Sequence, residues 1–214
     1  MDRKILLSTS YLGPVQYFSK YLLSGKLVIE SHENFIKQTY RNRCVIAGAN
    51  GPIKLTIPVL RGSFHKTAIN KLEIDYSKRW QDIHWRTIES AYRSAPFFDY
   101  FEEEIKSVFI KQTQFLIEYN TELTSSILSI LNIEPHHKLS NRYHDNTSNT
   151  EDLDYRELIR PKNIEPDILF RAYPYHQVFE EKHGFTPNLS ILDLIFNAGP
   201  ESIEILQSSI TIRV

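Results

Sequence analysis

The 214-residue sequence is poor in several residue types on which common protein chemistries depend. Cys44 is the only cysteine, which excludes an internal disulfide and a zinc site built from cysteines. The seven glycines form neither the GxGxxG pattern of dinucleotide-binding proteins nor the GxxxxGK[ST] pattern of P-loop proteins. A nucleophile elbow is also missing, so no standard motif identifies an enzyme class.

Charge of either sign is not in excess, and long apolar runs are missing. The net charge of -1 argues against a general nucleic-acid-binding protein, because such proteins usually carry a strong basic excess. The apolar run Ile5–Leu7 is too short for a signal peptide, and no other run approaches the roughly 20 residues of a membrane span. We therefore expect a cytoplasmic protein with no membrane span and no nucleic-acid partner.

Two short apolar runs near the N-terminus predict β-strands. They cover Lys4–Ser8 and Lys26–Ser31, and a helical pattern that follows Gly13-Pro14 separates them. This order predicts a βαβ unit, which favours parallel pairing of the two strands. Because ligands tend to bind at the carboxyl ends of parallel strands, Ser8–Pro14 is a candidate site loop.

The next segment alternates like a β-hairpin. Thr39–Ile46 forms the first predicted strand, and the run from Ile53 to Val59 forms the second. In such a strand Arg41 and Arg43 lie on one face about 6.6 Å apart, so both guanidinium groups can bind a single anion. Lys37 lies just upstream. Charges that protect a solvated edge strand explain the same pattern.

From Trp80 onward the apolar residues recur at helical spacing, and three consecutive helices are predicted as far as Ile130. Two further helices end at Gly184 and Gly199, and a last one begins at Pro200. The expected fold is α/β or α+β, with an N-terminal βαβ unit and hairpin sheet packed against a helical C-terminal half. We expect an α/β core with a helical hairpin over residues 1–133, a polar connector over 134–152, and a helical part over 153–214 that packs on the same core.

Three groups of side chains could have chemical roles. His84 could act as a general acid or base, with Arg86, Tyr92 and Arg93 on the same helix, although the spacing alone favours a surface stripe on an amphipathic helix. His176, Glu180 and His183 recur on one helical face like metal ligands, but a solvated face is the favoured interpretation, and no metal site is predicted. Asp193 stands three residues after Ser190, which predicts a capping box.

Four segments in this order resemble the WbqC-like family of bacterial proteins. They are YLGPVQYF, YRNRCVI leading to LTIPV, HWRTIESAYRSAPFFDYF, and YHQVFEEKHGFTPNLSILDLIFNAGPES. Tyr11 and Tyr17 match the family's amino-terminal motif, Asn42 and Arg43 match its Asn-Arg pair, and His84 matches its helical motif. Many members have Gln-Pro before the tyrosine where this chain has STSY, which suggests a different substrate or a structural role for the first loop.

The resemblance implies a role in cell-envelope polysaccharide biosynthesis, since the family is named for a gene in an O-antigen cluster. The expected reaction is acyl or aminoacyl transfer, or amide formation, on an amino sugar with a phosphate-bearing donor. The phosphate-bearing substrate expected at the site is a nucleotide sugar or an activated acyl donor. The alternative is a non-catalytic protein that binds a sugar or a partner. The sequence does not identify a cofactor. The candidate site comprises His84 as the catalytic residue and, as substrate-binding residues, Tyr11, Tyr17, Lys37, Arg41, Asn42, Arg43, Arg86, Tyr92, Arg93 and His176.

Overall fold

The fold was analysed in a computed structural model that describes residues 3–23, 25–60, 67–145, 152–162 and 166–211. Part of the predicted connector, residues 146–151, lies outside the described residues. The elements in chain order are β1 (Lys4–Ser8), α1 (Val15–Ser19), β2 (Lys26–Glu30), β3 (Arg43–Ile46), β4 (Ile53–Thr56), α2 (Trp80–Tyr92), α3 (Phe98–Phe109), α4 (Leu116–Ile130), β5 (Lys138–Leu139), β6 (Leu153–Asp154), α5 (Glu180–His183), α6 (Ile191–Ala198) and α7 (Ser202–Ser208). The mixture of helices, a parallel sheet and an antiparallel hairpin confirms the predicted α/β or α+β class.

The predicted βαβ unit is present, and its strands are parallel. β1 and β2 pair from Lys4 opposite Lys26 to Ser8 opposite Glu30. β1 is a central strand whose residues Ile5, Leu6 and Leu7 are all buried, which is why its sequence is continuously apolar. Two short strands complete the sheet in the order β5-β2-β1-β6, and both also run parallel to their neighbours. All four strands therefore end at the same edge.

The connection from α1 to β2 depends on Gly25. Its φ of +147° lies in a region that residues with a side chain rarely adopt, and an added Cβ would lie 2.5 Å from the carbonyl oxygen of Arg3. The amide of Lys26 donates to that same carbonyl at 2.9 Å. The absence of a side chain thus allows β2 to start close to β1.

The predicted hairpin is also present, but its first strand is shorter than predicted. β3 and β4 pair from Arg43 opposite Thr56 to Ile46 opposite Ile53. The expectation that strand geometry begins at Thr39 is wrong, because residues 37–41 form turns and Gln38 has a φ of +62°. Residues 39–42 consequently lack the alternation of a strand, and Arg41 and Arg43 do not share a strand face.

The helices cover the sheets and bring the C-terminal part onto the first loop. α3 packs against α4, and α6 packs against α1 and α3. The amide of Val15 donates to the carbonyl of Leu189 at 3.0 Å, and the amide of Ile191 donates to the carbonyl of Gly13 at 2.9 Å. The end of the loop that follows β1 (the first loop) is therefore tied to the C-terminal part of the chain by two backbone hydrogen bonds. Within the described residues, no helix is both long and apolar enough to cross a membrane.

Candidate functional site at the carboxyl edge of the parallel sheet

The carboxyl ends of the four parallel strands gather polar residues from distant parts of the sequence. β1 is followed by Thr9 and Ser10, β2 ends in Glu30, β5 is followed by Ser140, and β6 ends in Asp154. Ligands of parallel α/β sheets bind outside this end of the strands. We refer to these residues and their direct partners as the sheet-edge site.

Glu30 organises one half of the sheet-edge site. Its side chain is fully buried and accepts hydrogen bonds from the Ser140 hydroxyl at 2.6 Å, the His32 amide at 2.8 Å and the His144 amide at 2.8 Å. Burial alone would raise the pKa of Glu30, but these hydrogen bonds outweigh it and lower the pKa. The carboxylate therefore stays ionised and faces Arg156, whose Nη1 lies 3.8 Å from Glu30 Oε2.

Two buried arginines in this site are held by carboxylates. Arg41 is 1% exposed and donates to both carboxylate oxygens of Glu33, at 2.8 and 2.6 Å. Arg156 donates to both oxygens of Asp154, with Nη2 at 2.7 Å from Oδ2. Bidentate pairing of this kind is geometrically specific and fixes the guanidinium plane. The positive charges of Arg41 and Arg156 are thus compensated. Arg41 is therefore already paired and does not form, together with Arg43, the anion-binding pair that the sequence pattern predicts.

Glu157 is the most accessible partner of Arg41. Its side chain is 49% exposed, and Oε1 lies 3.4 Å from Arg41 Nη2. The other oxygen of Glu157 contacts Arg160. Because Glu157 is half exposed and its contact with Arg41 is long, it is the group that an incoming anion could displace from Arg41.

A small cavity lies between the first loop and Arg41. Its volume is about 10 Å³, which is close to the space that one water molecule needs. It is lined by Leu7, Ser8, Thr9, Ser10, Tyr17, Tyr40, Arg41, Tyr155 and Ile159. The buried hydroxyl oxygens of Ser10 and Tyr17 have no hydrogen-bond partner within 3.5 Å among the described residues. Unsatisfied buried hydroxyls are uncommon in native proteins, and here both residues line a cavity at the end of β1.

Asn120, in α4, connects the first loop to the segment that carries Arg41. Its Nδ2 donates to Thr9 Oγ1 at 3.1 Å and to the carbonyl of Arg41 at 2.8 Å. The amide of Tyr11 adds a hydrogen bond to the carbonyl of Tyr40 at 2.9 Å. These contacts hold the two walls of the cavity at a fixed separation.

His84 lies in an aromatic cluster behind the first loop. Its Nδ1 is 2.9 Å from the hydroxyl of Tyr11, and its ring centroid is 5.2 Å from that of Trp80. Burial lowers the pKa of His84 to about 4, so the imidazole is neutral at physiological pH and Nδ1 can accept a hydrogen bond from Tyr11. His84 is not part of the cavity lining. Its role as a proton shuttle stays a prediction, while its contact with Tyr11 positions the loop that follows β1.

The lowered pKa of His84 predicts a pH dependence of stability. Between pH 6.5 and about 4 the unfolded chain binds a proton at this histidine that the folded chain does not, so stability falls as the pH falls through that interval. The difference between 6.5 and about 4 corresponds to roughly 3 kcal/mol. We expect urea unfolding of His84→Asn to lose less stability over this interval than the wild type does.

The matched control for this prediction is Tyr11→Phe. This variant loses the hydroxyl that contacts His84 Nδ1 but keeps the imidazole, whose pKa is lowered by burial, so it should keep the pH dependence of the wild type. Equal pH profiles for the wild type and His84→Asn would show that folding does not lower the pKa of His84.

The remaining predicted site residues do not line the cavity and lie either at the β3–β4 hairpin or on the surface. Asn42 and Tyr92 support the hairpin, since Asn42 Nδ2 donates to the carbonyl of Ile57 at 2.8 Å and the Tyr92 hydroxyl accepts from the amide of Ala47 at 2.9 Å. Arg43 donates to the hydroxyl of Thr56 at 3.1 Å. The exposed residues are Lys37, Arg86, Arg93 and His176. The structure therefore brings Tyr17 and Arg41 together at the cavity and places Tyr11 with His84, but it does not join the other residues to them.

The predicted capping box at Ser190 is only half correct. Ser190 Oγ accepts from the amide of Leu192 at 3.4 Å, but the amide of Ser190 donates to Val45 and not to Asp193. The Asp193 carboxylate instead accepts from the Tyr175 hydroxyl and from Gln177 Nε2, both at 2.7 Å. Burial raises the pKa of Asp193, against the effect of these hydrogen bonds. Asp193 thus fixes the segment before α5 onto α6.

Several sheet-edge residues were not found by sequence reasoning. They are Glu30, Glu33, Asn120, Ser140, His144, Asp154, Arg156 and Glu157, whereas Ser10 lies within the predicted loop Ser8–Pro14. Glu30 and Glu33 could have been found, because they lie at and just beyond the carboxyl end of the second apolar strand and the rule applied to β1 also applies to β2. Among the described residues, no group of three histidine, cysteine, aspartate or glutamate side chains is arranged to hold a metal ion.

The fold and its polar edge define a mixed α/β protein with a candidate binding site at the carboxyl ends of a parallel sheet. Residues 9–160 and 156–205 match the WbqC-like protein family, and the chain belongs to this family. It is also 25% identical over 229 residues to "Uncharacterized protein Rv1507c" of Mycobacterium tuberculosis, and the similarity covers 97% of this chain and 98% of that protein. No solved structure matches the chain significantly.

Proposed function

We propose that the protein is an enzyme of cell-envelope polysaccharide biosynthesis that binds a phosphate-bearing donor at the sheet-edge site. The proposed reaction is acyl or aminoacyl transfer, or amide formation, on an amino sugar. Membership of the WbqC-like family supports the proposed role in cell-envelope polysaccharide biosynthesis. The observation that supports the location is the cavity at the end of β1, which is lined by the buried Arg41, by Tyr17 and by Ser10, whose buried hydroxyl has no hydrogen-bond partner among the described residues.

Entry of an anion at this site requires an exchange of partners. The cavity of about 10 Å³ is too small for a donor, so the site has to open before it binds one. Displacement of the half-exposed Glu157 would free one side of Arg41, while the buried Glu33 keeps its bidentate contact. The phosphate would then bind the guanidinium edge that Glu157 leaves and accept hydrogen bonds from Ser10 and Tyr17.

Two substitutions should change donor affinity in opposite directions. Ser10→Ala removes one proposed hydrogen bond and should weaken binding by about fivefold, equivalent to about 1 kcal/mol. Glu157→Gln removes the competing carboxylate and should strengthen binding by up to about fivefold, since exposed ion pairs contribute about 0–1 kcal/mol. Isothermal titration at constant ionic strength would measure both effects, after a thermal-shift screen of ATP, ADP, nucleotide sugars, acyl-CoA and inorganic phosphate with and without magnesium.

Glu103→Gln is the control for loss of one negative charge elsewhere, because Glu103 is exposed on α3. It should leave donor affinity at the wild-type value. A donor that binds equally well to Ser10→Ala, Glu157→Gln and wild type binds outside the sheet-edge site. Absence of a thermal shift with every phosphate-bearing compound contradicts the proposed donor class.

Turnover separates this proposal from the alternative of a non-catalytic binding protein. With the donor identified by the screen, incubation with amino sugars followed by mass spectrometry should detect a product in which the sugar amine carries a new acyl or aminoacyl group. Donor binding without such a product in a broad acceptor panel favours the binding protein.

A further inference from the structure

A second and larger cleft lies away from the sheet edge. Its volume is about 550 Å³, within the range of small-molecule sites. The turn of the β3–β4 hairpin forms one wall, one side of α2 forms the other, and Phe179 closes one end. The lining residues are Gly48, Ala49, Asn50, Gly51, Pro52, Ile53, Arg86, Thr87, Ser90, Ala91 and Phe179. None of them lines the sheet-edge cavity, so the two sites are separate.

Arg86 gives this cleft an uncompensated positive charge. The acidic residues one turn away on α2 are already paired, Asp82 with Arg79 at 2.7 Å and Glu89 with Arg93 at 3.5 Å. Arg86 itself makes no ion pair among the described residues and is exposed to the cleft. An unpaired guanidinium group beside a cleft favours a ligand that carries a carboxylate or a phosphate.

The hairpin wall of the cleft is held in place from the side of α5. Lys182 Nζ donates to the carbonyl of Ala49 at 2.7 Å, and His183 Nε2 lies 3.1 Å from the same oxygen. At Gly48 an added Cβ would lie 2.5 Å from the side chain of Ile53, so the turn is closely packed at its base. The turn is therefore held by α5 and closely packed at its base, which fixes the hairpin wall of the cleft.

The other lining groups suit a hydroxylated ring. Asn50 and Ser90 offer amide and hydroxyl groups, and the half-buried ring of Phe179 offers an apolar surface. We propose that this cleft binds an anionic sugar, either a uronate or a sugar phosphate, with Arg86 pairing to the acidic group and Phe179 packing against the sugar ring. This proposal is independent of donor binding at the sheet-edge site.

The test is a titration followed by NMR or calorimetry with four probes: glucuronate, glucose 6-phosphate, methyl glucoside and inorganic phosphate. We expect saturable binding of at least one of the two acidic sugars and much weaker binding of the neutral sugar and of phosphate alone. Arg86→Gln should weaken the acidic sugar by about tenfold or more, and Phe179→Leu should weaken it severalfold.

Arg171→Gln is the matched control, because Arg171 is an exposed arginine that makes no ion pair among the described residues and does not line the cleft. It should bind like the wild type. The proposal is overturned if neither acidic sugar saturates the protein, if Arg86→Gln and Arg171→Gln bind alike, or if Arg86→Gln weakens inorganic phosphate as much as the sugar phosphate. Because a phosphate group can also bind at the proposed sheet-edge site, the glucose 6-phosphate and phosphate titrations are repeated with Ser10→Ala, which should lower binding at the sheet edge alone.

Discussion

Replacement of Arg41 by alanine is expected to lower the free energy of unfolding by about 3–5 kcal/mol, whereas replacement of Arg43 should lower it by less than about 1 kcal/mol. The side chain of Arg41 is 2% exposed and that of its partner Glu33 is 7% exposed, with 2.6 Å between Nη2 and Oε2. Arg41→Ala therefore leaves a buried carboxylate without its counter-charge. Arg43 makes one exposed hydrogen bond to Thr56, so its loss costs little.

Urea unfolding followed by the fluorescence of Trp80 and Trp85, both buried in α2, would measure the two free energies. In a double-mutant cycle, Arg41→Ala with Glu33→Ala should cost less than the two single changes added together, because the second change removes the uncompensated charge. Similar losses for Arg41→Ala and Arg43→Ala would contradict the buried ion pair. An Arg41→Ala variant is consequently unsuitable as a ligand-binding probe, and Ser10→Ala is the better one.

Much of the fold could be predicted from local sequence patterns. The strands at Lys4–Ser8 and Lys26–Glu30 are short apolar runs separated by a proline-initiated helix, and their parallel pairing follows from that order. The helices α2, α3 and α4 have clear apolar periodicity, and their predicted core residues Ile88, Phe98 and Leu123 are all buried. These features are visible in the sequence because the buried apolar residues form a regular pattern along each element.

The other half of the sheet edge could not be predicted in the same way. β5 and β6 contain two residues each, which is too short for any periodicity, and they lie in or directly beside a polar segment. Their positions depend on pairing with β2 and β1, at sequence separations of about 110 and 148 residues. Asp154 and Arg156 therefore reach the edge through long-range contacts that a single sequence does not display.

Arg41 shows a second limit of sequence reasoning. Alternation of residues predicted that it would share a solvated strand face with Arg43, but the positive φ of Gln38 turns the chain before β3 begins. Arg41 is thereby directed into the protein, where Glu33 neutralises it. The pattern identified a basic residue, but it held no information on the burial of that residue or on its partner.

A second large effect is expected at Lys20, which is fully buried directly after α1. Its Nζ lies 2.6 Å from Asp167 Oδ2 and 4.5 Å from the ring centroid of Tyr155. Burial lowers the pKa of Lys20, and the hydrogen bond and charge of Asp167 act in the opposite direction. Lys20→Met should lower the free energy of unfolding by about 3–5 kcal/mol, because Asp167 then remains buried without its counter-charge.

The double variant Lys20→Met/Asp167→Leu should recover most of this loss, since replacement of a whole buried pair by apolar side chains is often close to neutral. Gln16 limits the recovery, because its Nε2 donates to Asp167 at 2.8 Å and loses that acceptor. Lys106→Met is the control: Lys106 pairs with Glu102 at 3.4 Å on the surface of α3, and its loss should cost about 0.3–0.5 kcal/mol. Urea unfolding of the four proteins measures these terms. A loss at Lys20 no greater than that at Lys106 would show that the pair does not hold α1 to the segment around Asp167.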